Sequence, residues 1–216
     1  MTLRLHDYSA SGNCYKVRLL LSQLGRDYER VPVDIFGGDT LTDEYARLNP
    51  LRQTPVLERD DGEPLTESNA ILLHLAEGTD FLPADAGDRA SAYSWLFFEQ
   101  TEVIQGIAGL RFRLVTERIR PDSREAQWRK TVGDSVLKVL NDRLGRSDYL
   151  AGNGYSVADI AVFAYTHVAH EAGFDLADHP NVQAWIARVE GTQGFMNDLE
   201  PYPPNSYAGK SRSIYD

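Results

Sequence analysis

Apolar positions follow two different periods along the chain, and the change of period divides it. Up to about residue 75 alternation and helical spacing take turns; beyond residue 88 only the helical spacing remains. Leu3 and Leu5 alternate with polar neighbours and predict a short strand over 2–6. Val17, Leu20, Leu21 and Leu24 share one face of a helix over 13–24, with Gly25 as its stop. Val31 and Val33 mark a second strand over 28–34, which Pro32 sends to a sheet edge. Strand, helix and strand of this kind make a right-handed crossover with parallel strands. Residues 35–50 read as a loop with a short helix over 42–48.

A hairpin comes next. Residues 55–58 form a strand, Asp60-Asp61-Gly62 supplies turn chemistry, and residues 63–66 form a shorter strand with Pro64 at an edge. The polar run Thr66-Glu67-Ser68-Asn69 then caps a buried helix through Leu75. Residues 76–88 are rich in Gly, Pro and Asp and read as a linker. One long helix is predicted over 88–118, with Tyr93, Phe97, Gln100, Ile104, Ile107 and Arg111 at helical spacing. A second runs over 123–144, with Trp128, Val132, Val136, Val139, Leu140 and Leu144 in phase and Gly145 closing it. Ser156 and Asp159 have capping-box spacing ahead of a run that is apolar almost all round, which predicts a central buried helix. Pro180 opens a last helix with Val182, Trp185, Ile186 and Val189 inward, and residues 200–216 form a Pro/Tyr/Ser-rich tail. The fold class is α/β followed by all-α.

Composition narrows the function classes. The 216 residues carry 32 acidic and 22 basic side chains, a formal charge of −10, which disfavours nucleic acid or an anionic membrane as partner. The single cysteine, Cys14, excludes an internal disulfide and a four-cysteine zinc site. The five histidines form no HExxH, so no metal is expected. Residues 1–12 hold no long apolar run, and a cytoplasmic location is the default expectation.

Two stretches carry candidate chemistry. The helix opening at Glu67-Ser68 points free N–H groups outward as an anion site, and the Glu67 carboxylate beside it accepts from a cation. That combination suits the α-amino-acid end of a ligand. The loop 8–13 follows the first strand, where open α/β sheets bind ligands, and Gly12 allows close approach to its backbone. Asn13 is a candidate helix cap, and Cys14 is either a small core residue or a thiol activated by the helix start. The Thr54–Pro55 bond is trans on general statistics; a cis bond would leave the Thr54 backbone facing a ligand.

Asn49-Pro50-Leu51-Arg52-Gln53-Thr54-Pro55-Val56-Leu57, followed by Glu67-Ser68 opening a helix, resembles the glutathione-binding half of the cytosolic glutathione transferases, and the likeness extends over roughly residues 1–200. The resemblance implies a thioredoxin-like domain (βαβ-α-ββα) over 1–77, a linker over 78–87, an all-helical domain over 88–200 and a tail over 201–216. It implies a cis bond before Pro55, a γ-glutamyl site at Glu67 and Ser68, and a cysteinyl site at Thr54 with Gln53 beside it. Ser11 takes the place of the activating serine of the serine-type, theta- and zeta-like members, where the cysteine-type members carry a cysteine. Its hydroxyl would steady the glutathione thiolate; Ser9, Asn13 and Cys14 are second choices near the thiol, and Tyr8 is the donor if the chain follows the tyrosine-type members. Thr40 stands where some serine-type members have histidine, and Gln53 where many have lysine, which leaves the glycine carboxylate to Arg52. The electrophile site would lie between the loop around Ser11 and the inner face of the 88–118 helix, lined by Phe97, Gln100, Ile104, Ile107 and Arg111. Glutathione is then a co-substrate, the second substrate a small, largely apolar electrophile, the role detoxification and the assembly a homodimer. Glutathione-dependent disulfide or peroxide reduction, or a non-catalytic glutathione-transferase-like binding protein, are the alternatives.

Overall fold

The strand β1 (Arg4–Asp7) is inside its sheet, and its last three residues are buried. It pairs in parallel with β2 (Glu29–Pro32) across Leu5 and Arg30, and antiparallel with β3 (Val56–Glu58) across Leu5 and Leu57. A two-residue strand β4 (Pro64–Leu65) completes the order β2-β1-β3-β4. Both proline-bearing strands are edges, as a residue without an N–H requires. The computed structural model describes residues 2–152 and 154–216, in two compact units: the chain up to residue 75 joined by 196–216, and residues 76–195.

In the first unit α1 (Gly12–Gln23) connects β1 to β2. Cys14, Val17, Leu19, Leu20 and Leu21 of α1 are fully buried. Gly25, at φ +61, follows its C-terminus, where a side chain would be strained. A 3-10 turn (Asp39–Leu41) and α2 (Asp43–Leu48) lead to β3. The hairpin turns through Gly62 at φ +84, and α3 (Ser68–Ala76) follows it.

Residues 196–216 belong to this first unit, where the sequence places 196–200 with the helices and leaves the rest as a tail. Arg18 binds Asp198, Tyr15 Oη donates to the Met196 carbonyl at 2.8 Å, and the Arg212 N–H donates to the Phe36 carbonyl at 2.8 Å. Sequence periodicity misses this because the partners are single polar contacts 180 or so residues apart.

The second unit is helical throughout its regular elements. The predicted helix over 88–118 runs from Ala86 to Val115 but is not one α-helix: α4 (Ala86–Phe98) passes into a ten-residue π-helical segment (Glu99–Ala108) and then α5 (Gly109–Val115). A π segment bonds i to i+5, so it shifts the face on which every later residue lies. α6 (Arg124–Leu144) is capped by Ser123. Trp128 (48% exposed) and Val139 (44%) are on its outer side, against the sequence expectation. The inward line is Ala126, Gly133, Val136, Leu137, Leu140 and Leu144, and its two small residues carry no hydrophobic signal. Gly133 is needed there, since a Cβ on it would run into the Phe174 ring, and a Cβ on the facing Gly106 would stand 2.6 Å from the Gly133 nitrogen. α7 (Val157–Thr166) is buried at every position and α8 (Pro180–Glu190) packs Val182, Trp185 and Val189 inward, with Ile186 half-buried.

The capping box at the start of α7 is present as read from sequence. Asp159, fully buried, accepts from the backbone N–H of Leu150 at 2.9 Å and of Ser156 at 3.0 Å, and from Trp185 Nε1 at 3.0 Å. Burial pushes its pKa up to about 6 despite these donors. A carboxyl whose pKa is higher folded than unfolded stabilises most below the unfolded value, and that contribution is lost as pH rises through the folded one. The neutral variant Asp159→Asn lacks this dependence. Urea unfolding of the two proteins should therefore show its largest penalty for Asp159→Asn near pH 4, shrinking as pH passes about 6; a constant difference across that range would contradict the assignment.

Candidate functional site

Ser11 is the N-cap of α1, with its Oγ accepting from the Cys14 N–H at 3.3 Å. A serine in this place satisfies one of the helix's free donors and keeps its own proton to give. Asn13, the sequence candidate for the cap, is inside the first turn, and its buried Oδ1 has no hydrogen-bond partner. The loop before Ser11 is knitted tightly: the Tyr8 N–H donates to Cys14 Sγ at 3.4 Å, and the Ser11 N–H to the Tyr8 carbonyl at 3.0 Å. The Ser9 carbonyl accepts from Arg18 Nη2 and from the Glu200 N–H, each at 3.2 Å.

Cys14 is wholly buried, and its thiol is pushed up to about 12, by burial first and by Asp7 second. The Tyr8 N–H, which donates to the sulfur at 3.4 Å, and the hydroxyls of Thr54 and Ser11 oppose that shift. This is the chemistry of a core residue, since a thiolate is the reactive form.

The Thr54–Pro55 peptide is cis, as the resemblance implies and bare statistics do not. Neither the N–H nor the C=O of Thr54 enters the backbone hydrogen-bond network of the described residues. The Gln53 carbonyl is held by Tyr45 Oη at 3.0 Å and Asn49 Nδ2 at 2.9 Å, which braces the approach to Thr54. Arg52, at φ +57, donates to the carbonyls of Thr40 (2.9 Å) and Thr42 (2.8 Å). Thr40 is buried with its Oγ1 unpartnered.

Glu67 is exposed at φ +67, a left-handed conformation that costs a non-glycine residue of order 1 kcal/mol or more. Its carbonyl accepts the Ile71 N–H, so it stands at the cap of α3 with Ser68 buried behind it. Lys16 of α1, fully buried, reaches Ser68 Oγ at 3.3 Å and Asn69 Oδ1 at 3.4 Å. Sequence reasoning passed over Lys16 and its neighbour Arg18. The available signal was two cations set between apolar residues in the stretch 14–21 of the helix, where a solvated face would need spacing by turns.

Arg18 is also fully buried and binds Asp7 at the end of β1 and Asp198 of the C-terminal segment, at 2.8 Å for the latter. Burial alone lowers its pKa; Asp7 and Asp198 more than restore it.

The five residues expected to line an electrophile site do not share one exposed face. Phe97 is 72% exposed, whereas Ile107 is fully buried and Arg111, 1% exposed, binds Glu171 at 2.8 Å. Gln100 and Ile104 are half-buried, and Gln100 Nε2 donates to Glu99 Oε2 at 3.1 Å. The stripe was read at 3.6 residues per turn, and the π segment breaks that register.

Residues 1–77 match the family model for the glutathione S-transferase N-terminal domain, and residues 107–192 that for its C-terminal domain. Glutathione S-transferase 3 of Zea mays is 31% identical over 95% of this chain and 99% of its own. The disulfide-bond oxidoreductase YfcG of Escherichia coli is 31% identical over 84% of this chain and 87% of its own. Among solved structures, a glutathione S-transferase from Pseudomonas fluorescens superposes with a TM-score of 0.89 at 43% identity, covering 93% of this chain and 100% of its own. A glutathione transferase of Burkholderia graminis, solved with two glutathione molecules per subunit, gives 0.79 at 29% identity over 92% of this chain and 87% of its own.

The state of Cys14 is directly measurable. Iodoacetamide at pH 8 should leave the folded protein unmodified and alkylate one thiol per chain in urea; rapid labelling of the folded protein would show an accessible, ionised thiol instead.

Proposed function

The chain belongs to the glutathione S-transferase family and is an enzyme of glutathione transfer, and on that premise we propose that Ser11 activates the thiol. The observation that carries this is Ser11 at the N-cap of α1, its Oγ accepting from the Cys14 N–H at 3.3 Å, together with a Thr54 peptide left outside the backbone network beside a cis Pro55. Thr54 pairs its free N–H and C=O with the cysteinyl backbone of glutathione, beside Pro55. The γ-glutamyl end sits at Glu67, Ser68 and the N-terminus of α3, with Lys16 supporting Ser68 from below. Thr40, Gln53 and Arg52 flank the glycine end.

The thiol then faces the Ser11 hydroxyl and the positive end of α1. Lowering its pKa by two units takes about 2.7 kcal/mol. A hydrogen bond to a charged acceptor contributes about 1.5–3 kcal/mol and a helix end about 0.3–1, so the pair suffices. The thiolate attacks the electrophile and the thiol proton passes to water, because Ser11 donates and does not act as a base. The second substrate in this reading is a small, largely apolar electrophile, and the role is detoxification. Phe97, Gln100 and Ile104 of the helical unit remain candidates for contacting it, Ile107 and Arg111 from behind.

A second reading has specific support. The likeness to a disulfide-bond oxidoreductase and to a transferase with two bound glutathione molecules favours reduction of glutathione-containing disulfides at the same site. Activity with an aryl halide and little with glutathione disulfide sustains the first reading; the reverse sustains the second.

We also place the working enzyme in the cytoplasm as a homodimer. No helix among the described residues is long and apolar enough to cross a membrane. Leu51 (63% exposed) is a large apolar side chain left at the surface of its unit, which supports burial against a second copy.

Two measurements test this. Ser11→Ala should still be retained on glutathione resin but lose most thiolate absorbance of the bound tripeptide near pH 7, with turnover down by up to about twentyfold, the fall in thiolate fraction as the thiol pKa returns toward about 8.5; full retention of the thiolate signal would remove Ser11 from the mechanism. Sedimentation velocity should give a dimer for the wild type and a shift toward monomer for Leu51→Glu, and a wild type that sediments as monomer would sink the homodimer.

A further inference from the structure

The loop that flanks the glycine end of the glutathione site offers a carboxylate little of its own. Arg52 is turned onto the backbone: its Nη1 donates to the carbonyls of Thr40 (2.9 Å) and Thr42 (2.8 Å), and its Nη2 stands 3.8 Å from Asp43. Thr40 is 1% exposed, and Gln53 carries no charge. A bound carboxylate needs a cation with donors to spare.

One reaches the same turn from the far end of the chain. The 3-10 turn Asp39–Leu41 opens on Gly38, at φ +100. Arg212 lies along the bare face of that glycine. A Cβ on Gly38 would stand 3.3 Å from Arg212 Cδ, 3.4 Å from Nε and 3.5 Å from Cγ. Glycine thus serves twice here, by adopting the positive φ and by making room for the arginine stem. An arginine that rests its stem on backbone keeps its charged head in water.

The position of Arg212 is fixed through its main chain. Its N–H donates to the Phe36 carbonyl at 2.8 Å, and the ring of Tyr215 packs on that of Phe36 with centroids 6.3 Å apart. Asp216 closes the last turn by accepting from the Ser213 N–H at 2.9 Å and the Ser213 hydroxyl at 3.1 Å. Arg212 itself is exposed, and among the described residues no carboxylate pairs with its guanidinium. The acid of the adjoining turn, Asp39, is occupied by the Asp34 N–H at 2.8 Å. Two arginines therefore bracket one short turn, Arg52 holding its backbone at Thr40 and Thr42 and Arg212 crossing it at Gly38 with its charge unspent.

We propose that Arg212 binds the glycine carboxylate of glutathione, so that the last turn of the chain completes the substrate site. A guanidinium presents a planar fork that matches a carboxylate. The proposal rests on the glutathione site described above and adds to it a binding residue carried by the C-terminal segment.

The test is calorimetric titration of the full chain, wild type and Arg212→Gln, at low salt, with glutathione and with glutathione amide, in which a carboxamide of nearly the same shape replaces the glycine carboxylate. The wild type should bind glutathione about fivefold more tightly than the amide, the worth of one ion pair near the surface. Arg212→Gln should bind glutathione about fivefold more weakly and the amide unchanged, so that the preference disappears. Arg212 is exposed and is anchored to Phe36 by its backbone N–H, so the variant keeps the fold, checked by an unchanged melting temperature. No preference in the wild type, an equal loss for both ligands, or a preference that survives in Arg212→Gln would overturn the proposal and leave the glutathione site standing. A wild type that binds neither ligand would overturn the site, and the proposal with it.

Discussion

A guanidinium with no access to water holds the reactive loop in shape. Arg18 leaves α1 toward the interior and binds Asp7 at the end of β1, the Ser9 carbonyl in the loop and Asp198 in the C-terminal segment. Removing such a charge from water costs several kcal/mol, repaid only when carboxylates and carbonyls surround it closely. Here two carboxylates and two carbonyls do so. The arrangement is all or none: losing one carboxylate would leave a buried charge short of a partner, so strand, helix, loop and C-terminal segment are held to one geometry. Ser11 inherits that geometry, because the loop carrying it has no other freedom between Asp7 and the first turn of α1.

A second buried cation does comparable service two residues earlier in α1. Lys16 reaches across to Ser68 and Asn69 at the start of α3. The N-terminal parts of α1 and α3, where we propose glutathione binds, are thus joined by an ammonium from one to the cap region of the other. Helix ends supply modest fields that fall off within a turn, so their mutual placement decides whether they act on one ligand. The left-handed backbone at Glu67 fits the same logic, since strain of this kind persists where the surroundings over-determine it.

The helical unit shows a different constraint. Gly106 and Gly133 let the π segment and α6 approach until backbone meets backbone, and Phe174 fills the space beside Gly133. The π segment is where the phase of the long helix changes, and with it which side chains face out. Asp159 anchors the far side of the same unit, gathering the Leu150 loop, the start of α7 and Trp185 of α8 on one carboxylate.

Much of this was legible in the chain. Alternation at Leu3 and Leu5, the prolines at 32 and 64, the turn at Gly62 and the Ser156–Asp159 box act through near neighbours, so local sequence determined the strands, the edges and the caps. The order of motifs around Thr54-Pro55 and Glu67-Ser68 carried the family likeness. What only the tertiary structure decided depends on partners far apart along the chain. Arg18 meeting Asp198, Lys16 meeting Ser68, residues 196–216 joining the first unit and Arg212 lying on Gly38 have no local signature. The π segment defeated periodicity for a related reason: a one-residue change in hydrogen-bond spacing leaves composition untouched and moves every later side chain to a new face.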